Sequence, residues 1–220
     1  MTTLRLAHRG DWRRAPENTL AALAAAMAVP GCDGVEFDVR AAADGTPVLL
    51  HDATLARVQG VHEPVDALDP SRLADLGVPT LEEALTAVPR RAFIDIELKE
   101  DVGPGIVHVI AGGRGPDLSR AVVSSFDPGA IRRVHSLAPG WPCWLNAYEL
   151  NAAVVQLALE LGCAGVSVAW WVIDPESFAL AHDAGLEVAA FTVRRRPTFD
   201  RLARLGVAAV CVEARALDGP

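Results

Sequence analysis

Long hydrophobic runs are missing from this chain of 220 residues, and so is any pair of cysteines at CxxC spacing. No apolar stretch approaches the roughly 20 residues that cross a bilayer, so no integral membrane segment is expected. The first strand begins within about four residues of Met1, and no basic segment followed by an apolar one precedes it, so no secretory leader is expected. Cys32, Cys143, Cys163 and Cys211 lie far apart among mostly apolar neighbours. They are expected to be ordinary reduced, buried thiols, because a free cysteine packs as a small hydrophobe. A cytoplasmic location is the corresponding expectation. Basic charge is also scarce: 20 Lys and Arg stand against 28 Asp and Glu, for a net charge of −8. That balance argues against nucleic acid as a partner, which needs a basic footprint. A glycine-rich phosphate loop and a GxSxG elbow are both absent, which removes nucleotide kinases and serine hydrolases.

What is present is ample apolar material, 51% of residues, enough for one sizeable core in a single domain spanning 1–220. After residue 80 short β-rich runs alternate with helical stretches, the pattern of parallel-sheet units. Strands are predicted over 4–8, 34–39, 47–51, 92–98, 121–125, 142–147, 164–168, 187–193 and 208–212. Helices are predicted over 17–28, 80–88, 104–112, 128–137, 150–161, 175–184 and 197–205. Pro128, Pro175 and Pro197 sit where a first turn tolerates proline, and Gly162, Gly185 and Gly206 follow helical stretches where a left-handed residue is needed. Repeated βα units over this length point to an α/β fold, a TIM-like (β/α)8 barrel, with an open doubly wound sheet as the competitor. Nine strands are one too many for that barrel, and the segment between Val39 and Pro47 is too short for a helix. The barrel is therefore expected to be irregular there, with 34–39 and 47–51 joined by a loop, and with residues 53–79 inserted as an excursion above it.

Four of the predicted strands end in charged or imidazole side chains: His8-Arg9-Gly10, Glu36 with Asp38, His51-Asp52, and Glu97 with Lys99. Burying such groups is costly unless they are paired or bind a metal, so strands that end this way end at a site. Residues two apart in a strand share a face, which places Glu36 beside Asp38 and Glu97 beside Lys99. Hard oxygen ligands of this kind suit a divalent cation, Mg²⁺ or Ca²⁺. The competing reading is an exposed strand face of solvated acids, with Val35, Phe37 and Val39 as the buried face. His8 and His51, each unremarkable singly, end strands on one inferred rim, where a parallel barrel keeps its active site. A histidine pair can divide general base and general acid between them. Arg9 and Lys99 supply local positive charge for a phosphate, unless they are spent on Glu17 or Asp95. Two histidines, three acids, a cation and two basic groups suit phosphodiester cleavage.

These segments, taken in order, resemble the glycerophosphodiester phosphodiesterase family. His8-Arg9-Gly10 with Pro16-Glu17-Asn18-Thr19 matches its opening signature, and Glu36-Phe37-Asp38 its ExD motif. Asp44-Gly45, Pro47 to Asp52, Pro79 to Glu83, Ile96 to Lys99 and Ser124 to Asp127 continue the likeness through most of the chain. The resemblance implies a TIM-like barrel that hydrolyses small-molecule glycerophosphodiesters to glycerol 3-phosphate and an alcohol with a divalent cation. By motif position His8 and His51 would be the acid/base pair, Glu36, Asp38 and Glu97 the metal ligands, and Arg9 and Lys99 the phosphate holders. A lysophospholipase D or cyclising lyase on the same scaffold, or a non-catalytic phosphate-binding barrel, are the alternatives.

The chain departs from the family near its C-terminus. Phe191-Thr192-Val193 stands where the family usually has a tryptophan, and the closing segment runs Gly206 to Glu213 in place of GVDGIxTDxP. Phe191 or Trp170, with its neighbour Trp171, could line the substrate pocket, although packing under a loop serves a tryptophan pair equally well. The short 53–79 segment leaves little to cap a large substrate and favours small soluble diesters over intact lipids.

Overall fold

The computed structural model describes residues 2–118 and 120–219. Within these residues nine strands form one sheet: β1 (Leu4–His8), β2 (Gly34–Ala41), β3 (Pro47–Leu49), β4 (Phe93–Leu98), β5 (Ala121–Ser125), β6 (Cys143–Ala147), β7 (Gly165–Ala169), β8 (Glu187–Val193) and β9 (Ala209–Val212). Eight of them run parallel and close on themselves, because β1 pairs with both β9 and β2. The ninth, β3, lies antiparallel on the upper half of β2, Val39 opposite Leu49 and Ala41 opposite Pro47. The surplus strand is thus a hairpin arm outside the barrel count, as a five-residue connection that cannot hold a helix requires. Among the described residues no helix is long and apolar enough to cross a membrane.

Among the described residues eight α-helices join the strands: α1 (Leu20–Met27), α2 (Pro70–Asp75), α3 (Leu81–Ala87), α4 (Ile106–Arg114), α5 (Pro128–Leu137), α6 (Ala152–Glu160), α7 (Pro175–Asp183) and α8 (Arg196–Leu205). Most match the periodicity. Asp127, Asn151 and Asp174 accept from first-turn amides, and Gly162, Gly185 and Gly206 have φ of 70°, 84° and 98° after their helices. One expectation needs correction. The helix predicted over 17–28 starts at Leu20, with Thr19 as its N-cap, because Asn18 takes a left-handed turn (φ 56°) that points its amide at the barrel mouth. The 53–79 segment carries α2, announced by Asp69 ahead of Pro70, and its Leu55, Val65, Leu73 and Val78 pack with Val48 and Leu50 in a small separate core. Cys143, Cys163 and Cys211 are buried and Cys32 is half-buried, and all four are unpaired.

The alternation along each strand divides the apolar material in two. Val35, Phe37, Val39, Ile94 and Ile96 point outward into the layer beneath the helices. Leu6, Val122, Trp144, Ala189 and Ala209 point inward and plug the floor of the barrel, where Trp144 stacks on Phe93 with ring centroids 6.0 Å apart. Room for that tryptophan comes from glycine. A Cβ on Gly165 would lie 2.9 Å from the Trp144 ring and 2.5 Å from the Glu187 carbonyl, and one on Gly34 would lie 2.0 Å from the Phe93 carbonyl. Gly34→Ala and Gly165→Ala are therefore expected to cost about 2 kcal/mol or more in urea unfolding, as overpacking does. An unchanged midpoint in either variant would refute this close packing.

Candidate active site

Above the hydrophobic plug the inward positions turn polar. Register pairs Glu36 of β2 with Asp95 of β4 and Asp38 with Glu97, so two adjacent strands bring four carboxylates to one patch. Glu36 is 2% exposed and Asp38 fully buried, which excludes a solvated acidic face. One oxygen from each of Glu36, Asp38 and Glu97 lies within 4.8 Å of the others. Glu36 Oε1 and Asp38 Oδ1 are buried and accept no hydrogen bond among the described residues. Three hard oxygen donors around orphaned lone pairs fit a divalent cation, and Mg²⁺ and Ca²⁺ take such ligands.

The patch is held by what surrounds it. Asn18 Nδ2 donates to Asp38 Oδ2 at 2.8 Å, Arg9 Nε lies 3.0 Å from the same oxygen, and Lys99 Nζ lies 3.4 Å from Asp38 Oδ1 while also contacting Glu97. The Arg9 amide donates to the Glu36 carboxylate at 3.0 Å. Both expected basic groups are thus present, but they lean on the acids rather than on free space: Arg9 also bonds Glu17 at 2.9 Å, and Lys99 reaches Glu97 and Asp38 rather than Asp95. Burial pushes the Glu36 carboxyl well above its usual range, and the nearby Asp38 and Glu97 push it further. Burial, then Asp38, raises Glu97 as well. Burial alone would raise Asp38 too, yet Arg9 and then Lys99 hold it below the ordinary value. Asp95, beneath them, is pushed by burial up to about 7 in spite of the bond it accepts from Ser124 Oγ at 2.6 Å.

His8 and His51 face the same cavity of about 440 Å³, whose wall also includes Arg9, Glu36, Glu97 and Lys99. His8 Nδ1 lies 2.6 Å from Glu213 Oε1, and its Nε2 lies 3.9 Å from Glu36. His51 Nδ1 lies 2.6 Å from Asp52 Oδ1, and Arg57 joins Asp52 to Glu17. The mouth of the cavity is aromatic. Phe126, Tyr148 and Phe191 pack as a trio with centroids 5.0–5.9 Å apart, and Trp170 meets Trp171 edge to face at 5.9 Å. Tyr148 (64%) and Trp171 (61%) are exposed, while Trp170 both lines the cavity and packs on the core, and Arg201 ties its carbonyl down at 3.1 Å.

Every site residue expected from the sequence is at this one mouth. Sequence reasoning did not single out Asn18, Asp52, Arg57, Glu213, Phe126 or Tyr148. Phe126 and Tyr148 immediately follow strand ends and were findable by position, whereas the Glu213–His8 pair spans 205 residues and carries no local signal.

The fold and site define an acidic (β/α)8-barrel enzyme of the phosphoric diester hydrolase class, with a carboxylate cluster able to hold a metal ion. The model of the glycerophosphoryl diester phosphodiesterase family matches residues 8–215, and the chain belongs to that family. It is 30% identical to a glycerophosphodiester phosphodiesterase of Caldanaerobacter subterraneus over 94% of this chain and 92% of that protein. It is 35% identical to a probable glycerophosphodiester phosphodiesterase 2 of Mycobacterium tuberculosis, over 86% and 78%. A phosphodiesterase of Oleispira antarctica, solved in complex with the product sn-glycerol-3-phosphate, superposes with a TM-score of 0.86 at 27% identity, over 96% of this chain and 93% of that one.

Burial makes Glu36 and Glu97 hold a proton more readily than a free carboxyl, and a cation that bound there would displace such protons. Calorimetric titration with Mg²⁺ or Ca²⁺ in buffers of different ionisation enthalpy should show net proton release that grows as the pH falls. Binding without proton release would show that the carboxyls are already ionised.

Proposed function

We propose that this protein hydrolyses small glycerophosphodiesters to glycerol 3-phosphate and an alcohol, with a divalent cation held by Glu36, Asp38 and Glu97 and with His8 and His51 as the acid/base pair. The observation that carries the reading is that both imidazoles line the cavity whose wall includes Glu36 and Glu97, with Asp38 grouped behind them. Each has its Nδ1 against a carboxylate, which keeps the proton on that nitrogen and turns Nε2 to the reacting groups. One histidine accepts a proton from the water that attacks phosphorus, and the other delivers a proton to the departing alkoxide, which leaves as the alcohol. The cation, when bound, neutralises charge on the phosphoryl oxygens. Lys99 and Arg9, which stand beside the carboxylates that would hold the cation, are placed to meet the phosphate. Cys211 is not a nucleophile in this scheme, since burial and the carboxylates push its thiol well above the usual range.

The relative solved with sn-glycerol-3-phosphate supports the product assigned here. Small soluble diesters are preferred over intact lipids because the 53–79 segment, which carries α2, is too short to cap a large substrate. A cytoplasmic location accompanies the proposal, supported by four unpaired cysteines.

His8→Ala and His51→Ala should each lower turnover of glycerophosphocholine by roughly 10²-fold or more with unchanged thermal unfolding, the usual loss for proton transfer. Full activity in either variant would remove that residue from the mechanism. EDTA should abolish activity and added Mg²⁺ or Ca²⁺ restore it, whereas an indifferent enzyme would sink the metal assignment. Release of a cyclic phosphate in place of glycerol 3-phosphate would establish a lyase.

A further inference from the structure

The two histidines are supported in the same way from opposite sides of the cavity, although nothing in the local sequence relates their supports. His51 rests on Asp52, its chain neighbour, and Arg57 takes the second oxygen of that carboxylate at 2.6 Å. His8 rests on Glu213, which arrives from the far end of the chain, and Arg194 Nε donates to its second oxygen at 2.8 Å. Glu213 lies in the closing segment where the chain departs from its family's usual wording. We propose that Glu213 is the positioning residue of His8, with Arg194 completing the carboxylate's hydrogen bonds.

The chain around the pair supports this. Glu213 is buried just beyond the end of β9, and its amide donates to the Val193 carbonyl at 2.9 Å, which fixes it beside β8. The next residue, Ala214, has φ of 49°, a left-handed conformation that a residue with a Cβ rarely adopts. Arg9, directly after His8, has φ of 57°. Strained residues thus follow both members of the pair, and such strain persists where the surroundings demand a particular geometry. Arg13, from the loop after β1, donates to the Ala214 carbonyl at 3.0 Å and so ties the strained turn to the segment that carries His8. Arg194 is the weaker partner, because its side chain is largely exposed and its charge is screened. Its part is to occupy the oxygen that His8 does not use.

An acceptor on Nδ1 fixes the ring's rotation and its tautomer together. With Glu213 in place, His8 presents Nε2 toward Glu36 and the cavity. With the carboxylate gone, the ring is free to turn and to carry its proton on the other nitrogen. The loss is then one of turnover rather than of binding, as it is where the acid of a histidine–acid pair is replaced by its amide.

The proposal rests on His8 acting in catalysis, so the experiment reads Glu213→Gln, Glu213→Ala and His8→Ala side by side. In each, kcat and KM for glycerophosphocholine are measured together with the ¹⁵N ring signals of the histidines, the His8 signal being the one lost in His8→Ala. Both Glu213 variants should lose about 10²-fold in kcat with KM within about threefold of wild type, and the His8 signal should leave its Nδ1-protonated position. If Glu213→Ala fails to fold, Glu213→Gln, which keeps the side chain's volume, decides alone. A folded Glu213 variant that keeps kcat within about threefold, beside an inactive His8→Ala, overturns the proposal. An active His8→Ala overturns the role of His8 itself and the proposal with it.

Discussion

Buried negative charge is the constraint around which this molecule is organised. Glu36, Asp38, Asp95 and Glu97 come from two adjacent strands in direct register, and three of the four are almost wholly removed from solvent. Like charges this close in a poorly solvated place repel strongly, and the ionised form of each is penalised further by burial. The surrounding residues answer that repulsion: Arg9 and Lys99 supply opposite charge, Asn18 and Ser124 supply hydrogen bonds, and the acids left between them are grouped closely enough to hold a cation. A barrel rim with this composition is costly as a purely structural device and useful as a metal-assisted site.

The same crowding gives neighbouring carboxylates different characters. Asp38, closest to both basic groups, stays ionised, while Glu36 and Glu97 are pushed toward holding protons. Asp52 and Glu213, each bonded to a histidine and an arginine, are both drawn down to about 2, which keeps them anionic against their imidazoles. The division follows environment rather than residue type: glutamates and aspartates occur on both sides of it.

Legibility in the sequence varied with the range of the physics. Helix ends were readable, because Asp127, Asn151, Asp174 and the glycines after the helices act within a turn of where they stand. The acidic patch was readable because strand alternation puts Glu36 with Asp38 and Glu97 with Lys99 without any knowledge of the partner strand. The start of α1 was misread for an instructive reason. Pro16-Glu17-Asn18 looks like the opening of a helix, but Asn18 is committed to Asp38, twenty residues away, and adopts a strained turn to reach it. The ninth strand was one too many on a count alone, and its antiparallel register against β2 accounts for it.

By itself the sequence determined the alternation of strands and helices, the charged ends of four strands and the chemistry those ends can support. These depend on periodicity, capping and side-chain type, which are properties of neighbouring residues. Barrel closure decided the rest. Only when β1 meets β9 does Glu213 reach His8 across 205 residues, and only around a closed rim do the two histidines share a cavity with the acids. Such pairings depend on loop closure and on register between strands that are distant in the chain, and no local pattern encodes them.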